Sequence, residues 1–208
     1  MDRTELTKLF EDNDLVMAFD TNAVYGDRPG SDPFVGLCDT INRINLLRSS
    51  QPHISMVISA PVYVEKLHDM RQRYKERFNP DLPRGFLESK GIKIESFDLH
   101  HAEHLSEVIG EAYPTERDWF EYKRKRCLRC LNLQQEHHEN AKGSGKNCGA
   151  TVDWLIAGHA HASSYLLVTN DRGPEFRAVE HKAKLLAVCE VANTLLERLE
   201  RDDSRVAT

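Results

Sequence analysis

Short apolar runs alternate with segments whose apolar residues recur at helical spacing, and this alternation constrains the fold more than any other feature of the chain. Leu15–Phe19 and Ile54–Ser59 have the length and composition of buried strands. Segment 92–97 alternates apolar and polar residues as a half-buried strand does, and 165–169 is a fourth apolar run. The sequence therefore predicts a sheet of at least these strands.

Helical patterns lie between the strands. Segments 33–47, 101–113 and 151–162 carry apolar residues at spacings of three and four. Segment 63–74 does the same, and Pro61 suits the first turn of its helix. Strands that alternate with helices are typical of a three-layer α/β/α fold with a central, mainly parallel sheet of about four or five strands.

The two ends of the chain are less regular. Segment 184–188 suits a fifth strand before an amphipathic helix at 190–201, but 179–200 also fits one long helix. Residues 1–14 predict a helical extension, which leaves 15–208 as the main domain.

Size and composition exclude several classes of protein. The 208 residues suffice for one domain, and no apolar run is long enough to cross a membrane. A charged N-terminus without a signal peptide and an odd number of cysteines, 5, argue for a cytoplasmic protein without a disulfide framework. The net charge of −5 argues against a protein that coats nucleic acid through bulk positive charge. A metal-dependent nuclease stays compatible, because its site is itself a concentration of carboxylates.

Four acidic residues stand where strands end or where the following helices begin. Asp20 follows the first strand and Asp171 the fourth, while Glu65 lies one turn into a helix and Asp153 in the first turn of another. Because the carboxyl ends of parallel strands meet at one edge of a sheet, we expect these side chains to share a crevice. Ionised carboxylates repel one another unless a cation is present, and Mg²⁺ and Mn²⁺ prefer oxygen ligands. Taken singly, each acid also fits an ordinary helix cap.

The segments around these acids resemble the motifs of the PIN-domain nucleases. Segment 15–22, LVMAFDTN, is similar to the opening strand and Asp-Thr-Asn signature of the family, and 58–65 is similar to its second strand and helix-borne Glu. Segments 152–157 and 167–171 resemble its third and fourth acidic motifs. The resemblance extends from about residue 15 to about residue 190.

The resemblance implies a PIN-like endoribonuclease that hydrolyses phosphodiester bonds, as VapC-type toxins do. The residues implied as catalytic groups and ligands of one or two Mg²⁺ or Mn²⁺ ions are Asp20, Glu65, Asp153 and Asp171. The residues implied to support them are Asn22, Thr169 and Glu175. An RNA substrate, an antitoxin partner and a homodimer are implied as well. Three alternatives stay open: a PIN-like nuclease of RNA processing or of DNA, a catalytically silent protein that binds RNA or a partner, and a zinc-stapled interaction module.

An insertion at about 113–149 departs from the family pattern. The interval between Glu65 and Asp153 is longer than compact toxins have, and 123–146 holds seven basic residues against two acidic ones. That local charge of +5 leaves −10 for the remainder of a chain whose total is −5. With Trp119, Phe120 and Tyr122 just before this basic stretch, the insertion suits a surface that grips the backbone of single-stranded nucleic acid and stacks its bases, although a solvated helix face is the common alternative. The basic residues expected to bind substrate are Lys123, Arg124, Lys125, Arg126 and Arg129.

Two weaker hypotheses concern cysteine and histidine. A structural Zn²⁺ ion is one interpretation of the insertion, and buried free cysteines are the favoured alternative. Its candidate ligands are Cys127, Cys130, His137 and Cys148. His159 follows Asp153 on the same predicted helix and is a candidate for substrate contact.

Overall fold

The fold is α/β, with one parallel sheet in the part of the chain that the structure describes. The computed structural model describes residues 1–12, 14–24, 32–48, 53–131 and 150–206. The strands are β1 (Leu15–Phe19), β2 (Ile54–Ser59), β3 (Ile92–Glu95), β4 (Leu166–Val168) and β5 (Lys182–Ala183). The helices are α1 (Arg3–Asp12), α2 (Thr21–Val24), α3 (Pro33–Arg48), α4 (Ala60–Tyr74), α5 (Asp81–Ser89), α6 (Leu99–Ala112), α7 (Glu116–Leu131), α8 (Ala150–Ala162) and α9 (Leu185–Val206).

The order of the strands creates a crevice at the centre of the sheet. The order is β3-β2-β1-β4-β5, and every described pair is parallel. From β1 the chain first moves to β2 and β3, and later returns to the other side of β1 as β4. Such a reversal opens a crevice beyond the carboxyl ends of the two central strands, where ligands bind in open α/β sheets. Phe19 pairs in register with Val168, so the residues that follow them, Asp20 and Thr169, emerge side by side.

Helices cover the sheet in a three-layer α/β/α arrangement. Helix α9 packs against α3 and α1, while α8 packs against α4 and α6. All but one residue of β1 and all but one of β2 are buried, as expected for strands covered on both faces. The core includes Phe19 and Phe34, whose rings meet edge to face at 5.1 Å.

Most predicted elements are confirmed, with shifted ends, but the predicted strand at 184–188 is wrong. Strand β5 lies just before it, and the apolar residues belong to the first turns of α9. Leu185, Val188, Val191 and Leu195 are all buried at spacings of three, three and four, so this face of the helix reaches the core. Within the described ranges, no helix is both long and apolar enough to span a membrane.

The predicted helix at the N-terminus packs into the main core. Asp2 and Glu5 cap α1 reciprocally, since each carboxylate accepts the other residue's backbone N–H at 2.9 Å. Leu6 and Phe10 of α1 belong to the same buried cluster as the sheet. Helix α1 therefore belongs to the same hydrophobic core as the sheet.

Candidate active site

The buried carboxylate of Asp20 lies at the centre of the crevice. Its side chain is 4% exposed and stands directly after β1, where its backbone N–H donates to the carbonyl of Val168 at 3.0 Å. One carboxylate oxygen accepts the backbone N–H of Thr21 at 2.7 Å. The other accepts the hydroxyl of Thr169 at 2.6 Å and the amide of Asn22 at 2.7 Å. Three donors therefore hold this carboxylate in one orientation.

Asn22 and Thr169 connect the ends of β1 and β4. The side-chain oxygen of Asn22 accepts the backbone N–H of Asn170 at 2.9 Å, while its amide donates to Asp20. The hydroxyl oxygen of Thr169 also accepts the backbone N–H of Asp171 at 3.0 Å. Both residues thus touch the carboxylate of Asp20 and the backbone of the loop that carries Asp171, and their supporting role stays a prediction.

Burial makes the ionised form of Asp20 costly. Desolvation raises the pKa of Asp20 to about 6, and the hydrogen bonds from Thr169 and Thr21 oppose that shift only in part. The neighbouring charges of Asp171 and Glu65 make smaller contributions to the same rise in the pKa of Asp20. Both acids are therefore near enough to Asp20 for their repulsion to be felt.

Glu65 approaches Asp20 from the neighbouring strand and helix. It lies in the second turn of α4, and the hydroxyl of Thr21 donates to its carboxylate at 2.5 Å. Burial raises the pKa of Glu65, and the charges of Asp153 and Asp69 raise it further. Repulsion thus links Asp153 to Glu65, and Glu65 to Asp20. Thr21 was given no role by the sequence analysis, although its place beside Asp20 in the Asp-Thr-Asn motif was a signal.

Asp171 completes the group from the loop after β4. One oxygen of its half-buried side chain accepts the backbone N–H groups of Arg172 at 2.6 Å and Gly173 at 3.0 Å. The charges of Glu65 and Asp171 act on Asp20, and that of Asp153 acts on Glu65. We call these four predicted site residues the acidic cluster.

The donors of the acidic cluster fit a hard divalent cation. All four are carboxylates, and the most buried of them, Asp20, has its ionised form disfavoured unless positive charge is near. The carboxylates of Asp20, Glu65 and Asp171 are turned toward local donors. In this arrangement no three His, Cys, Asp or Glu side chains of the described residues already have the geometry to hold a metal ion.

Glu175 lies beyond the acidic cluster in a buried contact with the insertion. It sits in a short 3₁₀ turn, is 0% exposed, and accepts a hydrogen bond from the hydroxyl of Tyr122 in α7. This bond joins the segment after Asp171 to α7. The partner of Glu175 that sequence reasoning missed is therefore Tyr122, 53 residues earlier in the chain.

The aromatic residues of α7 pack inward more than predicted. Tyr122 is only 9% exposed, and its ring centroid lies 5.2 Å from that of Trp119 and 6.2 Å from that of Trp154. Base stacking on Tyr122 is therefore a wrong expectation, since its ring is buried in a cluster with Leu105 and Trp154. Phe120, by contrast, is 63% exposed.

The predicted substrate-binding residues of α7 differ in accessibility. Lys123 and Lys125 are exposed, and the ammonium of Lys123 lies 5.4 Å from the centre of the Trp119 ring. Arg124 is half-buried and pairs with Glu121 at 2.9 Å. The side chains of Arg126, Cys127, Arg129 and Cys130, together with His137 and Cys148, lie outside the described residues. The zinc hypothesis stays a prediction.

The predicted contact of His159 with substrate is wrong. His159 is 1% exposed, and its ring stacks on that of His101 at 4.6 Å. Burial is the largest cause that lowers the pKa of His159, to about 4, so the ring is neutral at pH 7. His159 lies six residues beyond Asp153 on α8, which corresponds to about 240° beyond one full turn of the helix. The two side chains therefore point in different directions, and that of His159 points toward α6.

No protein-family model matches the chain, and no curated protein matches it significantly.

Proposed function

We propose that the chain is a PIN-like endoribonuclease that depends on Mg²⁺ or Mn²⁺ and hydrolyses phosphodiester bonds in RNA. The observation that carries the proposal is the buried carboxylate of Asp20 in the crevice between β1 and β4, with Glu65 and Asp171 near enough for their charges to act on it. An α/β fold with its ligand crevice at that point supports the proposal, as do the motifs in segments 15–22 and 58–65. The cytoplasm, a toxin role and an antitoxin partner stay predictions of the sequence.

Each residue of the acidic cluster has a role in this proposal. Asp20 binds the ion from the centre of the crevice, and Thr169 and Asn22 keep its oxygens aimed there. Glu65 and Asp153 approach from α4 and α8, and Asp171 from the loop after β4. Bound Mg²⁺ or Mn²⁺ supplies the Lewis acidity that makes a water nucleophilic at neutral pH and offsets charge on the phosphate.

The exposed basic residues of α7 give the substrate a place to bind. Helix α7 packs on α8, which carries Asp153, so Lys123 and Lys125 stand on an element adjacent to the acidic cluster. Ammonium groups bind phosphates without regard to base sequence. We therefore expect single-stranded RNA of mixed sequence to serve as substrate, with Lys123 and Lys125 contacting its backbone.

Cleavage of a mixed single-stranded RNA pool, with and without divalent cation, tests the proposal. We expect cleavage by the wild type in Mg²⁺ or Mn²⁺, none in EDTA, and a loss of more than about 100-fold in Asp20→Asn, because the lost group is a direct ligand. Asp203→Asn, an exposed change in α9, is the matched control. Equal cleavage by the wild type and Asp20→Asn would show that the assigned site is wrong.

Parallel DNA and binding assays separate the alternatives. Cleavage of the equivalent DNA in preference to RNA would replace RNA as the substrate. Cation binding by calorimetry without cleavage of either polymer would favour a catalytically silent binding protein.

A further inference from the structure

A cavity of about 350 Å³ opens beside the acidic cluster. Its walls come from the first turn of α1, the ends of β4 and β5, and the start of α9. Thr169 and Asp171 line it, so it continues the crevice toward the outer strand β5. We call it the β5 cavity.

Basic side chains outnumber acidic ones in the walls of the β5 cavity. The basic residues are Arg3, Arg172, Lys182 and Lys184, and the acidic ones are Asp2, Asp171 and Glu190. Two of the acids have other roles, since Asp2 caps α1 and Asp171 belongs to the acidic cluster. The positive charge lies on the β5 side of a site whose centre is negative.

The basic residues differ in how far they are held in place. The ammonium of Lys182 donates to the carbonyl of Phe176 at 2.6 Å and is part of the wall. Arg172 and Lys184 are exposed, and neither makes an ion pair within the described part of the chain. Their charges are therefore free to meet an anion in the cavity.

We propose that the β5 cavity binds a nucleotide of the substrate strand next to the bond that is cleaved, with its phosphate held by Arg172 and Lys184. The inference rests on the proposed function. The acidic cluster repels the phosphates of an RNA strand on either side of the cleaved bond, so positive charge beside the cluster is needed to hold them. A volume of about 350 Å³ lies in the range of about 300–1,000 Å³ typical of small-molecule sites. Leu6, Ala183 and Ala187 supply apolar surface for the sugar and base.

Binding measured without catalysis tests this site. The probes are a fluorescein-labelled single-stranded RNA, followed by anisotropy in EDTA at several salt concentrations, and uridine 5′-monophosphate, followed by calorimetry. In the double variant Arg172→Gln/Lys184→Gln we expect RNA affinity to fall about tenfold or more and the slope of log K against log salt to decrease by about 0.7, the value for one lost phosphate contact on a single strand. The mononucleotide should no longer bind.

A second double variant provides the matched control. Arg84→Gln/Lys93→Gln removes the same charge from exposed residues of α5 and β3, at the opposite edge of the sheet. We expect it to retain at least half of the wild-type affinity. Equal losses in both double variants, unchanged binding in Arg172→Gln/Lys184→Gln, or no binding by the wild type would each overturn the inference.

The outcome for the β5 cavity is separable from that of the proposed function. If the wild type binds RNA through Arg172 and Lys184 but cleaves nothing in Mg²⁺ or Mn²⁺, the nuclease proposal fails and the binding site stands. If the wild type cleaves RNA while the double variant binds it as the control does, the binding site fails alone. Circular dichroism of both double variants verifies that the exposed substitutions leave the fold intact.

Discussion

Asp20 combines burial with charge, and that combination has a consequence for stability as well as for cation binding. Its pKa is raised to about 6, whereas the same group in the unfolded chain titrates near 3.8. The folded state therefore holds a proton on Asp20 over a pH range in which the unfolded state has lost it. The contribution of Asp20 to stability is fully present below pH 3.8 and is lost as the pH rises through about 6.

Replacing Asp20 by Asn should remove this pH dependence. Between pH 4 and pH 7 in EDTA the wild type should lose stability as Asp20 ionises, whereas Asp20→Asn should not. The free energy of unfolding of Asp20→Asn should therefore rise relative to that of the wild type by up to about 3 kcal/mol over this range. Urea unfolding at a series of pH values measures the difference. The same difference for Asp203→Asn, whose carboxylate is exposed, should stay flat, and a flat curve for Asp20→Asn would contradict the assignment of the shift to burial.

A few buried contacts attach helix α7 to Glu175, in the segment after Asp171, and to Trp154 of α8. The hydroxyl of Tyr122 donates to the buried carboxylate of Glu175, and the Tyr122 ring packs with Trp119 and Trp154. Because Glu175 follows Asp171 by four residues and Trp154 follows Asp153 directly, α7 touches the chain next to two members of the acidic cluster. Packing of α7 and geometry of the cluster are thereby coupled.

Tyr122→Phe should weaken this attachment. The substitution keeps the ring but removes one donor from a buried carboxylate, which costs about 1–3 kcal/mol. Chemical unfolding of Tyr122→Phe against Tyr74→Phe, a change at an exposed tyrosine, measures the effect. If the two variants are equally stable, the hydrogen bond to Glu175 contributes nothing to holding α7.

The contact between α6 and α8 depends on the absence of a side chain at Gly158. A Cβ atom there would lie 3.0 Å from both Cβ and Cδ1 of Leu105, so the buried Leu105 side chain or one of the helices would have to shift by a few tenths of an ångström. Gly110, on α6, has nothing within 4 Å of the corresponding point. The two glycines therefore form a matched pair.

Alanine substitutions at these two glycines should have opposite effects. Gly158→Ala should destabilise the protein by about 1–3 kcal/mol, because overpacking exceeds the gain of up to about 1 kcal/mol in helix propensity. Gly110→Ala should gain most of that propensity and stabilise. Thermal unfolding of both variants measures the two changes in stability. Stabilisation by Gly158→Ala would mean that α6 and α8 can move apart at little cost.

At the scale of the whole molecule, the N-terminal helix and the sheet share one core. Phe10 is 0% exposed, and the guanidinium of Arg48 in α3 donates to its carbonyl at 2.6 Å. Arg198 of α9 pairs with Glu11 at 2.6 Å on the surface above. Residues 1–12 therefore contribute both to the core and to one wall of the β5 cavity.

Truncation of Phe10 should destabilise the entire fold. We expect Phe10→Ala to lower the free energy of unfolding by about 3–5 kcal/mol, as for a buried core phenylalanine. Phe120→Ala, at a side chain 63% exposed, should change it by no more than about 0.5 kcal/mol. A small effect of Phe10→Ala would show that α1 is an appendage that can separate from the core.

The features that the sequence alone predicts correctly are local ones. Strands β1 and β2 begin and end where their apolar runs do, because a buried strand needs an unbroken run. Asp20 is predictable because it directly follows such a run, and Asp171 because it lies three residues beyond the end of another. The boundary of β5 and α9 was not found, since segment 184–188 is too short for its period to distinguish a strand from a helical face.

The sequence by itself determined which acids stand at the ends of elements and which elements lie between them. Only the tertiary structure decided what those acids touch. The bond from Thr21 to Glu65 spans 44 residues, that from Tyr122 to Glu175 spans 53, and that from Thr169 to Asp20 spans 149. Such contacts depend on strand order and register, which bring distant segments together, and no local pattern encodes them. For the same reason the β5 cavity, built from both ends of the chain, is visible only in the folded molecule.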